Sequence, residues 1–272
     1  MRALLRSSVN AIPLPVRKWI KHIPGLAGLQ RWLVARFLSG TPFLHTINAG
    51  PASGLRFEVT LPGDKAIWAG TYEFEFATAI SRGVKAGDVC FDIGGYRGFM
   101  SGTMAIAGAS KVVVFEPLPE NQHALQRLGE LNPDLNIELQ RVALGDLDGT
   151  IGLKVMADAS MGKLASSGFQ PGASALREID VTIRRLDSMV RAKEVPPPNL
   201  IKIDVEGAEL DVLRGASEVL QSAKPVVYIE THSAALDQQC QEELGRLGYG
   251  VRRLESNSPT GEQTSHLIAT FR

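Results

Sequence analysis

The stretch that most constrains the fold runs from Asp88 to Gly98, reading Asp-Val-Cys-Phe-Asp-Ile-Gly-Gly-Tyr-Arg-Gly. Val89 to Ile93 is a nearly unbroken apolar run closed by glycines, which predicts a short strand buried on both faces of a helix-covered parallel sheet. Gly94, Gly95 and Gly98 then allow a sharp turn and let a ligand approach main-chain N–H groups at the start of the next helix. A second apolar run, Val112 to Phe115, ends in Glu116 and Pro117. That acid falls roughly 20 residues past the turn, where doubly wound folds set a carboxylate on ribose hydroxyls. The two stretches together predict a nucleoside-binding site; the alternative is a tight turn in an ordinary α/β protein.

Asp92 and the glycine spacing decide which nucleoside. A dinucleotide fingerprint needs G-x-G-x-x-G, whose second glycine makes room for a pyrophosphate. Here the order is Asp92-x-Gly94-x-x-x-Gly98, with a carboxylate at the strand tip that would repel a pyrophosphate. A ligand with an ammonium group, a ribose and no phosphate fits better, and S-adenosylmethionine is such a ligand.

The chain of 272 residues is long enough for one α/β domain with an extension, and its 44% hydrophobic and 21% charged content is that of a soluble globular protein. With a formal net charge of zero there is no global electrostatic case for nucleic acid as a partner. Charge is unevenly spread, because no acid precedes Glu58 while Arg2, Arg6, Arg17, Lys18, Lys21, Arg31 and Arg36 do. Two distant cysteines, Cys90 and Cys240, argue against a disulfide framework or a cysteine metal site, so a cytoplasmic location is expected. No apolar run reaches the roughly 18 residues of a membrane span, and Pro13, Pro15 and Arg17 interrupt the start too early for a usual signal peptide.

Residues 1–50 read as a basic amphipathic extension and residues 51–272 as the main domain. Trp19, Ile20, Trp32, Leu33 and Phe37 lie among basic residues in two short helical patterns split by Pro24-Gly25. Such a segment, residues 1–40, either makes peripheral contact with an anionic membrane surface or a partner, or packs as a helical cap. Leu55 to Leu61 alternates as a strand. Thr71 is the expected N-cap of a helix ending near Gly83, with Tyr72, Glu73 and Glu75 either reaching a cofactor's amino-acid end or lying on a first-turn surface. Ile137 to Leu144 reads as one further strand, whose end at Ala143 and Leu144 either supports an adenine or is a plain strand end. The Ser/Gly/Ala-rich stretch Ala157 to Ser174, with Lys163 in it, reads either as a substrate-side lid or as an exposed connection.

A second set of acids follows the apolar strand Leu200-Ile201-Lys202-Ile203. Asp204 ends it, and Glu206 and Glu209 lie on the turn and first turn of a helix expected to run through Leu220. Ligands of open parallel sheets bind beyond the carboxyl ends of strands, so these acids should converge near Asp92 if the two strands are neighbours. Glu206 and Glu209 could instead cap the helix and offset its dipole. Val226 to Ile229 makes another strand, ending in Glu230-Thr231-His232. His232 is a candidate general base or a hydrogen-bonding loop residue. Gly250–Leu254 and His266–Phe271 read as a closing pair of strands.

Phe91-Asp92-Ile93-Gly94 with Gly98, Phe115-Glu116-Pro117, Val142-Ala143-Leu144-Gly145-Asp146, Ile201 to Glu209 and Glu230-Thr231-His232 together resemble the FkbM family of S-adenosylmethionine-dependent methyltransferases. The likeness covers residues 70 to 272, and Ile-Lys-Ile-Asp-Val-Glu-Gly-Ala-Glu is its most specific string. It implies a Rossmann-like, doubly wound seven-stranded α/β sheet, mostly parallel with one antiparallel strand, beside the N-terminal helical extension. It implies O-methylation of a hydroxyl on a sugar, glycolipid or natural product. Gly95-Tyr96-Arg97 departs from the family's usual turn, so backbone contacts carry over there and side-chain contacts do not.

On this reading Asp92, Gly94, Gly95, Tyr96, Gly98, Glu116, Pro117, Ala143, Leu144 and Asp204 bind the cofactor. His232 or Asp204 takes the acceptor's proton, while Glu206, Glu230 and Lys163 face the substrate. No metal is assigned; an oxygen-only set of Asp204, Glu206 and Glu230 for Mg²⁺ ranks below the metal-free reading. The competing classes are a nucleotide-dependent oxidoreductase or epimerase and a non-catalytic, membrane-associated module of a glycan assembly complex.

Overall fold

The computed structural model describes residues 40–156, 162–164, 175–254 and 264–272. The amphipathic patterns expected before residue 40 lie outside the described residues. In chain order the elements are β1 (Phe43–Thr46), β2 (Arg56–Val59), α1 (Lys65–Ala69), α2 (Phe74–Gly83), β3 (Val89–Ile93), α3 (Phe99–Ile106), β4 (Lys111–Phe115) and α4 (Pro119–Leu131). Then come β5 (Ile137–Gln140), β6 (Ala143–Leu144), β7 (Gly149–Met156), β8 (Gly162–Leu164), β9 (Ala175–Arg184), α5 (Leu186–Arg191) and β10 (Leu200–Ile203). The chain closes with α6 (Glu209–Gly215), α7 (Ser217–Ala223), β11 (Val226–Thr231), α8 (Ala234–Arg246), β12 (Tyr249–Arg253) and β13 (Ser265–Phe271).

Seven strands form one sheet in the order β12-β13-β11-β10-β3-β4-β5. Strands β5, β4, β3, β10 and β11 pair in parallel, and β13 runs antiparallel to both of its neighbours. This is the architecture expected from the sequence. Along β3 and β4 successive side chains alternate between two apolar layers, as a pleated strand requires. Cys90, Val112 and Val114 join Phe76, Met104 and Leu128 on one face. Phe91, Ile93, Val113 and Phe115 join Ile203, Leu213 and Ile229 on the other. Each fully buried large apolar side chain stabilises by about 1.5–3 kcal/mol, so the strands that carry the site are clamped from both sides.

The chain leaves β3 towards β4 and β5, and later returns through β10 towards β11, so the strand order reverses between β3 and β10. Their register sets Asp92 beside Lys202 and Ile93 beside Ile203. The next residues, Gly94 and Asp204, therefore meet at the crevice where open α/β sheets bind ligands.

Four local expectations change. The single strand over 137–144 is two: β5 ends at Gln140, and Ala143–Leu144 leaves the main sheet to pair with β9 in a second sheet ordered β6-β9-β7-β8. Thr71 does not cap α2, because its N–H donates to Ala66 O at 2.9 Å and so closes α1. Glu73 takes the N-cap position, with φ 40°. The helix after Asp204 breaks at Ala216, whose φ of −111° and ψ of 8° lie outside the helical range, and a Cβ on the preceding Gly215 would lie 1.8 Å from Gly145 O. Finally, β1 lies before the expected boundary at residue 50 and pairs with β2 beyond it, so residues 43–46 belong with the folded domain. Within the stretch read as a lid, 162–164 forms β8 against β7, and the remainder lies outside the described residues. Among the described residues no helix is long and apolar enough to cross a membrane.

Candidate active site

The turn after β3 is built by close approach. Gly94 has φ 77°, and a Cβ there would lie 1.8 Å from Asp204 O, so no larger residue lets the two strand ends meet. Gly98 has φ 88° and lies against Leu125 and Leu128 of α4. Tyr96 adopts φ 47°, a left-handed conformation that is costly for a tyrosine and is found where surrounding contacts hold it. Its N–H donates to Glu116 Oε2 at 2.8 Å.

Glu116 stands at the tip of β4, only 4% exposed. Its other oxygen accepts from Leu118 N at 2.9 Å. Burial pushes its carboxyl up to about 7, with the N–H groups of Leu118 and Tyr96 and the Asn121 side chain pulling the other way. With three donors on its two oxygens, the carboxylate still has acceptor capacity for a ligand hydroxyl.

Asp92 is fully buried beneath the turn and does not face the hollow above it. Ser101 Oγ donates to its Oδ2 at 2.5 Å, and Lys202 Nζ lies 3.1 Å from Oδ1. The same ammonium donates to Gly94 O at 2.7 Å and lies 3.3 Å from Asp204 Oδ2. Burial alone would lower the Lys202 pKa, but Asp204 and Asp92 outweigh it and hold the ammonium charged. Burial likewise raises the Asp204 carboxyl, against the pull of Lys202. Lys202 escaped the site assignment from sequence; its signal was a lysine inside an otherwise apolar central strand.

A hollow of about 650 Å³, its open mouth included, lies over these strand ends. Of the residues assigned from sequence, Gly94, Tyr96, Glu116, Pro117, Ala143, Leu144, Asp204 and Glu206 line it. Gly95, Gly98 and Asp92 support it from behind. Leu118, Asn121, Val142, Leu153, Val205 and Ala208 also line it and were not anticipated. Lys163 falls in β8, where its side chain lies outside the described residues.

His232 and Glu230 stand beside Asp204. Nδ1 of His232 pairs with Glu209 Oε1 at 2.7 Å, while Nε2 lies 3.4 Å from Glu206 Oε2, 3.6 Å from Asp204 Oδ1 and 3.9 Å from Glu230 Oε1. Burial would lower its pKa, but the Glu209 hydrogen bond and the charges of Asp204 and Glu206 lift it to about 9. The surrounding acids thus favour the protonated ring. Glu206 is pushed up to about 7 by burial, even though His232 pulls it down. Glu230 is opposed by burial yet held below its usual range by His266, whose Nε2 lies 3.3 Å from its Oε2. Glu73 reaches the same group of acids, and burial with the nearby Glu230 and Asp204 raises it to about 7. Of the two readings of the 72–75 segment, the one that turns it towards the site holds for Glu73.

Residues 92–271 match the family model described as the methyltransferase FkbM domain. The chain is 33% identical over 152 residues to the hexuronic acid methyltransferase AglP of Haloferax volcanii, covering 54% of this chain and 56% of that one. It is 29% identical over 124 residues to methyltransferase 1 of Beauveria bassiana, covering 40% of this chain and 50% of that one. The chain thus spans about half the length of the curated relatives it matches. A solved structure of an assigned SAM-dependent methyltransferase from Streptococcus mutans superposes with a TM-score of 0.53 at 13% identity, over 90% of this chain and 64% of that one, which shows the shared fold.

Proposed function

The chain belongs to the FkbM methyltransferase family, and on that premise we propose that it is an S-adenosylmethionine-dependent O-methyltransferase acting on a hydroxyl of a sugar-type acceptor. One observation carries the reading: the carboxylates of Glu116 and Asp204 line the same hollow, one at the tip of β4 and the other at the tip of β10. Glu116, with donors already on both oxygens, is oriented to receive a ribose diol. Ala143, Leu144 and Val142 supply apolar surface for a base. Asp204 suits a positively charged amino-acid end, and the acidic rim disfavours a phosphate. When bound, the cofactor supplies an electrophilic methyl group on sulfur.

The remaining work belongs to the chain. Glu206 and Glu230 accept hydrogen bonds from acceptor hydroxyls and so orient one of them for attack. Holding reactants in attack geometry can supply about 7–11 kcal/mol of the barrier reduction. Asp204 takes the proton, since it lines the hollow and burial raises its carboxyl above the usual carboxylate range. His232 positions Asp204 and Glu206. The sugar class is supported by the likeness to AglP, which is named for hexuronic acid.

Calorimetry with S-adenosylmethionine tests the assignment. The wild-type chain should bind it, and Asp92→Ala and Glu116→Ala should each abolish binding. Undiminished binding in both would defeat the reading. Labelled methyl transfer screened against uronic acids and neutral hexosides identifies the acceptor.

A further inference from the structure

We propose that Asp204, Glu206 and His232 hold a divalent cation at the acceptor side of the hollow. One donor atom from each residue lies within 4.8 Å of the other two. The distances from His232 Nε2 suit donors that share a cation. A charge-assisted N–H···O contact closes to about 2.7–2.9 Å, as Nδ1 does on Glu209 at 2.7 Å. At Nε2 the carboxylates of Glu206 and Asp204 stop at 3.4 and 3.6 Å. Donors on a tetrahedral centre with bonds of about 2.1 Å are separated by about 3.4 Å, so the two contacts already have the spacing of a ligand shell.

The other ring nitrogen matches this assignment. Imidazoles that ligate a metal hand their second N–H to a carboxylate, which fixes the ring and its tautomer. Glu209, fully buried, does so here, and its Oε2 has no hydrogen-bond partner. A buried acceptor left this way is costly, and the positive charge of a nearby cation offsets that cost. Asp204 and Glu206 also line the hollow, so the open coordination positions face the space assigned to the acceptor.

A mixed nitrogen and oxygen set favours Mn²⁺ or Zn²⁺ over Mg²⁺ or Ca²⁺, which prefer oxygen alone. The role of the ion rests on the methyl-transfer reading: an acceptor hydroxyl bound to it becomes more acidic and is held in place. Binding of the ion does not depend on that reading; it displaces the Nε2 proton of His232 to solvent.

The test titrates the EDTA-stripped full chain with Mn²⁺ alone, without cofactor or acceptor, by calorimetry and pulsed electron paramagnetic resonance. One ion per chain and nitrogen modulation from an imidazole are expected. Glu206→Gln, at a partly exposed side chain, should weaken binding about tenfold or more, as should Glu209→Gln. His232→Gln should lose the nitrogen signal, and His266→Gln, in the neighbouring Glu73–Glu230–His266 group, should keep it. Failure of the folded wild type to bind both Mn²⁺ and Zn²⁺ overturns the site. So does a nitrogen signal that survives His232→Gln, or affinity unchanged in Glu206→Gln. Cofactor titrations on the same samples report separately on the methyltransferase reading.

Discussion

Lys202 Nζ and Asp92 Oδ1 lie 3.1 Å apart across β10 and β3, with both side chains buried. The ammonium also reaches Gly94 O and Asp204, so one cation ties together the three segments that form the floor of the site. Removing it leaves two acids facing each other in a poorly solvated space.

Lys202→Met should therefore destabilise the protein by about 3–5 kcal/mol, the usual cost of stranding a buried charge. Adding Asp92→Asn should recover part of that stability without restoring cofactor affinity. Urea denaturation of the two variants, paired with calorimetry, checks both halves; a Lys202→Met protein as stable as wild type would contradict this account of the network.

Glu116 gives a pH dependence of defined sign. Its carboxyl is raised to about 7 in the folded protein, and ribose hydroxyls bind best to the ionised form. Cofactor affinity should then rise as pH increases through that value, by up to about tenfold per unit below it. Stability of the free protein moves the other way. Between the unfolded carboxyl range and about 7 the folded state holds the extra proton, so raising pH costs up to about 3 kcal/mol. Glu116→Gln should remove this share of both profiles and leave the share of Glu73 and Glu206, read by calorimetry and thermal melts across the acidic to neutral range.

Gly94→Ala should lose at least about 1–3 kcal/mol, because it strains a residue at φ 77° and drives a methyl group into Asp204 O. Gly129→Ala is the contrast. That helical glycine has open space around it, and filling it should stabilise by about 0.5–1 kcal/mol. Melting curves that rank the two variants in the opposite order would refute the close-approach argument.

Asn121→Ala removes a side chain that supports the Glu116 carboxylate and lines the hollow. Loss of a hydrogen bond to a charged group is worth about 1.5–3 kcal/mol. The free protein should be destabilised by about that much and cofactor affinity should fall with it, which melting curves and calorimetry read separately.

The acids of the site were legible because each lies within or directly after a buried apolar strand, where a carboxylate is costly without a purpose: Asp92 within β3, Glu116 after β4 and Asp204 after β10. The glycine turn was legible for a similar reason, since its spacing excludes a pyrophosphate. Lys202 was not, because its meaning lies in the β3–β10 register, which places it beside Asp92; no local pattern records that pairing. The upward shift of the His232 pKa was equally hidden, as it depends on Glu206, Glu209 and Asp204 folding around one ring. β7 did carry a local signal. Ile151, Leu153 and Val155 alternate with polar or small residues, and Leu153 and Val155 are buried against β9 and β6. The split at Arg141–Val142 had no such mark, because it is set by the second sheet drawing Ala143 and Leu144 away from the first.

That second sheet separates two duties that a single sheet would have to share. Leu153, Val155, Val181 and Ile183 form a small core of their own with Ala143, Leu118 and Ala208. The second sheet lends Ala143, Leu144 and Leu153 to the wall of the hollow and packs on a core apart from the two layers that clamp the central strands. Substitutions in that wall can alter what fits without disturbing the charged floor.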